Sequence, residues 1–223
     1  MRKTIILLIS LFCANYINAQ NFIFSTKAGL AYPSSLECET GIIFTGSFEN
    51  RFNKYFSLGI NGKAGGVNYN QEKSILDNEI ITEEIELDIS NSIYAINIYP
   101  KISFFNSTEL TLSIIPELGF YWVRSTPVIY FKDKINFDVS HKNYNTEWSN
   151  KNFGLGLHLE GQYYLSDKTN ISASIGWSNY DIGLSLNDIN LEGDFNYEFN
   201  ENTNFLYCEV GISFLLFGKN TWD

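Results

Sequence analysis

Cysteine and histidine are nearly absent: three Cys and two His occur in 223 residues. That leaves little material for a disulfide framework or a zinc site. Basic residues are scarce as well, with 15 Lys and Arg against 25 Asp and Glu, so a nucleic-acid partner held by a basic surface is excluded. No apolar run is long enough to cross a bilayer as a helix, since the longest, Ile5 to Ala14, falls short of the ~20 residues required. The mean hydropathy of −0.11 agrees. A P-loop, a dinucleotide fingerprint, metal-ligand spacing and a nucleophile elbow are all missing, so no cofactor and no metal are expected. What the chain does have is aromatic and branched apolar material. Aromatics make up 16% and hydrophobic residues 44%, too much for an intrinsically disordered chain.

The N-terminus has the layout of an export signal. Arg2 and Lys3 precede an apolar stretch, Ile5 to Phe12, and a small-residue exit, Ile17-Asn18-Ala19. This predicts a cleaved peptide over 1–19, cut between Ala19 and Gln20. The other reading of the stretch is a first apolar strand. Phe12 fits poorly before an acylated Cys13, where a small residue is wanted. Residues 20–223 then form one domain carrying 25 acids against 13 bases, with Cys38 and Cys208 as its thiols.

After residue 20 the apolar pattern has period two, not the period of a helix. In the last segment Leu206, Cys208, Val210, Ile212, Phe214 and Leu216 alternate with Tyr207, Glu209, Gly211 and Ser213. Similar alternation recurs around residues 22–30, 42–49, 56–63, 94–104, 110–122, 155–165 and 171–178. Eight such segments, joined alternately by short polar turns (51–54, 106–108, 166–169) and long links (70–91, 125–150, 185–202), predict an all-β fold. The expected architecture is a single-domain, eight-stranded antiparallel up-and-down transmembrane β-barrel. A soluble, lipocalin-like secreted carrier is the alternative, and the faces separate the two. The bulky apolar faces carry no charge, whereas the opposite faces hold Lys27, Lys63, Lys101, Glu49, Glu117, Glu160 and Glu209 among Gly and Ser. Eight strands enclose room for small side chains, not for rows of Leu and Phe. A charge facing lipid at mid-bilayer costs about 2–4 kcal/mol. The oily face therefore belongs outside, towards lipid. Phe22, Tyr32, Phe56, Tyr94, Phe104, Trp122 and Trp177 fall near strand ends, where interfacial girdles lie. Pro100 and Pro116 sit inside strands and predict bulges.

Asn18-Ala19-Gln20, Tyr99-Pro100-Lys101, Pro116-Glu117-Leu118-Gly119-Phe120-Tyr121 and the apolar last strand resemble the small outer-membrane β-barrel, porin-family proteins. More distantly they are similar to the barrel domain of outer membrane protein A. The resemblance implies a fold and a place in the Gram-negative cell envelope, among outer-membrane lipid and lipopolysaccharide after insertion by the barrel-assembly machinery. The chain departs from the family by continuing past Phe217 to Asp223, where members end on an aromatic residue.

Three groups of residues are candidate functional sites. Lys27, Glu49, Lys63, Lys101, Glu117, His158, Glu160 and Glu209 are expected in the lumen, as a paired network. It either plugs the pore or forms a narrow channel whose pairs exchange partners. Asp77, Glu79, Glu83, Glu84, Glu86 and Asp88 crowd the 71–91 link, and Asp188, Glu192 and Asp194 the 185–202 link. These acidic loops are candidates for cations or for an extracellular ligand, although calcium-loop spacing is missing. Alternating Ile85, Leu87 and Ile89 suggest that the hairpin continues above the membrane, where its edge could pair with another chain. Catalysis is not expected: His158 points to the lumen and His141 lies in a link, neither beside a lipid-facing Ser and acid. Cys208 is expected to face lipid and Cys38 to sit in the first loop, so they are not expected to pair. The reading is a structural, adhesive or weakly porin-like outer-membrane barrel, or else a cell-surface binding module using 71–91 and 185–202.

Overall fold

The computed structural model describes residues 21–34, 39–77, 80–144, 148–149, 151–181 and 204–217. They form nine antiparallel strands: β1 (Asn21–Pro33), β2 (Gly41–Arg51), β3 (Phe56–Asp77), β4 (Ile80–Asn106), β5 (Leu110–Asp133), β6 (Val139–Asn143), β7 (Asn152–Ser166), β8 (Thr169–Ser178) and β9 (Phe205–Phe217). Eight of them close a ring in the order β4-β3-β2-β1-β9-β8-β7-β5, with β4 and β5 also paired. The short β6 lies outside the ring, on the upper part of β5. First and last strands join side by side, from Ile23 opposite Leu215 to Pro33 opposite Phe205. The turns after β2, β4 and β7 therefore share one end with Asn21 and Phe217.

Alternation decides what faces where. On β4 the even residues Phe104, Ile102, Ile98, Ile96 and Tyr94 are exposed, while Lys101, Tyr99, Asn97 and Ala95 are buried. An oily outside and a polar inside are what lipid and a narrow lumen require. From Phe104 to Tyr94 the strand climbs ten residues, about 26 Å along the barrel axis at ~3.4 Å per residue and ~40° tilt. That matches the ~25 Å apolar band of outer-membrane barrels. Aromatic side chains mark both rims. At the short-turn rim Phe22 meets Phe217 and Phe52 stacks on Phe56. At the other rim Tyr94 contacts Trp148, Phe120 meets Phe153, and the Lys151 ammonium lies over the Phe120 ring.

Above Tyr94 the polarity of β4 inverts without any change of parity. The outward residues become Ser92, Ser90, Asp88, Glu86 and Glu84, and the inward ones Ile93, Ile89, Leu87 and Ile85, with Asn91 as the one polar residue among them. β3, β4 and β5 run on together past the rim to Asp77–Ile80 and Glu83–Asp133, where β6 adds a fourth strand. The links at 70–91 and 125–150 are thus largely paired strand and not loop. Their alternating residues hold the ladder because each keeps one apolar face to bury. The 185–202 link lies outside the described residues.

Pro100 and Pro116 do not make bulges. They stand opposite one another: pairing between β4 and β5 lapses over Tyr99–Lys101 and Ile115–Glu117, yet resumes in the same register at Ile102–Ile114. Both residues lack an N–H, so the two missing donors fall at one point of a single ladder. The slip comes lower, between Ser103 and Phe105.

Candidate functional site: the lumen and the emergent sheet

The inward parity of the strands brings all eight lumenal candidates inside, in layers. Nearest the short turns, Arg51 is buried with its guanidinium 3.5 Å from Tyr164 Oη, which lies 3.0 Å from Thr111 Oγ1. Next, Lys101 Nζ lies 3.2 Å from Glu49 Oε2 and 2.7 Å from Glu160 Oε1, while Lys27 pairs with Glu160 Oε2. Above these, Lys63 Nζ donates to Glu117 Oε2 at 2.6 Å, and Asn61 Nδ2 donates to Glu117 Oε1 at 2.6 Å. Glu209 accepts from Thr45 Oγ1 at 2.5 Å. Among the described residues Arg51, Lys27, Lys63 and Lys101 balance Glu49, Glu117, Glu160 and Glu209 one for one, although the chain is acidic.

His158 occupies the branch point of the upper layer. Its Nε2 lies 3.0 Å from Lys63 Nζ and 3.1 Å from Glu117 Oε2, and its ring stacks on Tyr207. One ring nitrogen either accepts from the ammonium or donates to the carboxylate, so the imidazole tautomer decides which pair forms. Gly176 makes the room: a Cβ there would come within 2.0 Å of His158 Nδ1. Gly59 does the same for Tyr99, whose ring a Cβ would meet at 2.3 Å. Between the charged layers a cavity of about 20 Å³, lined by Lys27, Glu49, Glu117, His158 and Glu160 among others, holds one water's worth of space.

The lumen is not polar throughout. Ala31, Ile43, Val67, Ile93, Tyr121, Val123, Tyr180, Phe205 and Tyr207 form a buried apolar cluster above the charges, where a polar filling was expected. The barrel interior changes character as the strands leave the lipid band, because there the core has no other place to bury carbon. Sequence reasoning also missed Arg51, assigned to a turn, and the amides Asn61 and Asn97. Their parity with Glu49, Lys63 and Lys101 was the available signal. Tyr180 lies beyond the end of β8, where alternation carries no information.

The acidic candidates separate into different settings. Asp77 ends β3; Glu79, Asp188, Glu192 and Asp194 lie outside the described residues. Glu83, Glu84, Glu86 and Asp88 stand on β4, not in a loop. Glu84 pairs with Lys134, and Glu86 Oε2 with Lys132 at 2.5 Å. Asn70 Nδ2 donates to both Glu86 and Asp88, at 2.9 and 2.8 Å. Hydrogen bonds from Lys134 and from Lys132 hold the Glu84 and Glu86 carboxyls below their usual range, and Glu86 raises Lys132. These carboxylates already have partners, and no cluster of metal-ligating side chains exists among the described residues. His141 is exposed on β6 beside Tyr130. Cys208 is a free thiol on the lipid-facing side; Cys38 lies outside the described residues.

No family model and no curated protein sequence matches the chain. Solved structures do. A major outer membrane protein from Thermus thermophilus is similar at a TM-score of 0.50 and 14% identity, over 87% of this chain and 99% of that one. Neisserial surface protein A is similar at 0.47 and 12%, over 86% and 96%. The attachment invasion locus protein of Yersinia pestis is similar at 0.40 and 9%, over 88% and 97%. At such identities the likeness concerns the fold: a small, eight-stranded outer-membrane β-barrel.

Proposed function

We propose that this protein is a closed outer-membrane barrel whose task is to carry the emergent β3–β6 sheet above the cell surface for contact with an extracellular partner. Residues 1–19 direct export in this reading, and the barrel-assembly machinery inserts residues 20–223 among lipid and lipopolysaccharide. It performs no turnover chemistry. The observation that carries the proposal is the filled lumen: charge-balanced layers with space for one water, topped by an apolar cluster. A solute path would need those pairs broken and that cluster displaced. The strands meanwhile continue far beyond the lipid band, which a mere membrane plug does not need.

The test is conductance of the refolded mature chain in planar bilayers. The expected result is a folded, electrically silent barrel. Steady single-channel conductance that changes in a Glu117→Ala, Glu160→Ala variant would overturn the proposal in favour of a narrow channel.

A further inference from the structure

The lipid-facing wall of the barrel is not smooth. Where β7, β8, β9 and β1 lie side by side, it holds an open-sided recess of about 770 Å³, a size in the range of ligand pockets. Register explains the floor. Gly161 stands opposite Ala173, Ala173 opposite Val210, and Val210 opposite Ala28. All four have the outward parity of their strands, so one row of short side chains crosses the sheet. The next outward row on one side is Leu159, Ile175, Cys208 and Leu30, and on the other Tyr163, Ile171, Ile212 and Thr26. Two rows of larger side chains thus border a row of small ones, and the result is a groove.

The fold does not require glycine in that floor. A Cβ on Gly161 would meet Leu112 Cδ2 at an ordinary 3.5 Å, whereas on Gly59 or Gly176 it would strike Tyr99 or His158. Glycine inside a strand also weakens it. The chain therefore leaves open a space that its own side chains have room to fill.

Position decides what enters that space. This wall fronts hydrocarbon. Gly161 lies towards the short-turn end of β7, whereas Ala28 stands midway along β1, so the groove starts near the short-turn rim and climbs into the lipid band. Three inter-strand steps of ~4.8 Å make it about 14 Å long, close to half of the ~30 Å hydrocarbon core. That is the reach of a chain belonging to one leaflet; a neighbouring barrel would lie along the whole band. Tyr163, 45% exposed, marks the rim end. A tyrosine there keeps its ring in carbon and its hydroxyl among headgroups.

We infer that this recess binds one acyl chain of a phospholipid from the leaflet at the short-turn rim, with the Tyr163 hydroxyl donating to the ester region. The site is separate from the lumen and from the emergent sheet.

The test is native mass spectrometry of the full mature chain, refolded with palmitoyl-oleoyl phosphatidylglycerol and released from detergent micelles. The parent should keep one phospholipid per barrel. Gly161→Phe combined with Ala173→Phe fills the recess, keeps the lipid face apolar, and should lower the retained fraction at least about tenfold. Tyr163→Phe should lower it less. Gly62→Phe adds the same bulk at an outward glycine of β3, where the nearest atom to a new Cβ is a backbone oxygen 4.0 Å away, and should retain lipid as the parent does. If the double variant does not fold, Ala173→Leu alone carries the test with a smaller expected loss. A parent without bound lipid, unchanged retention in the filled variants, or an equal loss in Gly62→Phe overturns the inference. A parent that pairs with a second barrel, and stops pairing when the recess is filled, overturns it too. None of these outcomes bears on conductance, so failure here leaves the closed-barrel reading to its own experiment.

Discussion

Two halves of one strand show how the surroundings decide what a residue is for. Below Tyr94, β4 turns Ile96, Ile98 and Ile102 outward and Lys101, Asn97 and Tyr99 inward. Above it the same strand turns Glu84, Glu86 and Asp88 outward and Ile85, Leu87 and Ile89 inward. Across Tyr94, from Glu83 to Ile98, backbone, pairing and parity are continuous. Only the solvent outside changes, from hydrocarbon to water, and each side chain follows it. The lower half is an inside-out protein and the upper half an ordinary one.

The largest effect is expected in the lumen. Glu160→Ala leaves Lys27 and Lys101 without their shared carboxylate, and loss of one partner of a buried pair costs about 3–5 kcal/mol. Urea unfolding in detergent micelles, followed by tryptophan fluorescence, should show that drop; an unchanged midpoint would mean that water reaches the site and the lumen is not closed. Leu87→Ala, in the emergent half, should lose about 2–5 kcal/mol, but locally. Hydrogen exchange should rise along residues 83–90 and 124–132 while barrel unfolding stays put. A shift of the whole transition would show that the two halves are one cooperative unit.

The third pair places one substitution on each side of the rim. Ile98→Lys faces mid-band lipid and should cost about 2–4 kcal/mol, whereas Ser90→Lys, outward on the same strand above the rim, should stay within about 0.5 kcal/mol. Equal costs would erase the distinction between the halves. The smallest effect is that of pH on the emergent sheet. Glu84 and Glu86 are depressed from 4.5 by hydrogen bonds from Lys134 and Lys132. Their stabilisation is fully present above 4.5 and is lost as pH falls through the lower folded-state values. Lys132 is raised above 10.5 by Glu86, so its share is present below 10.5 and lost as pH climbs through the raised value. Because these pairs are partly exposed, salt should weaken them. Exchange rates of the β4–β5 amides between pH 3 and 7 would measure the acid side, and a flat profile would show that the pairs add nothing.

Much of this was readable beforehand because period two is a strong signal where one face meets lipid. The charges Lys27, Lys63, Lys101, Glu49, Glu117, Glu160 and Glu209 stand out against Gly and Ser, and parity alone sends them inward. Arg51 obeys the same parity but sits next to a turn, where alternation gives way to turn chemistry. Pro100 and Pro116 were legible as ladder breaks, though not as a facing pair, since register between strands is a tertiary fact. The acidic run at 83–88 resembled a loop because its polar residues face water, as those of a soluble sheet do.

Composition and alternation by themselves determined the barrel, its number of lipid-facing strands and seven of the eight lumenal charges, Arg51 being the exception. A membrane leaves one viable solution for such a pattern: a closed sheet with its oily face outward. Only the tertiary structure decided which charge meets which, that Glu160 serves two lysines, and that His158 Nε2 stands between Lys63 and Glu117. Those outcomes depend on register, shear and turn geometry, which bring together residues far apart along the chain and leave no periodic trace in it.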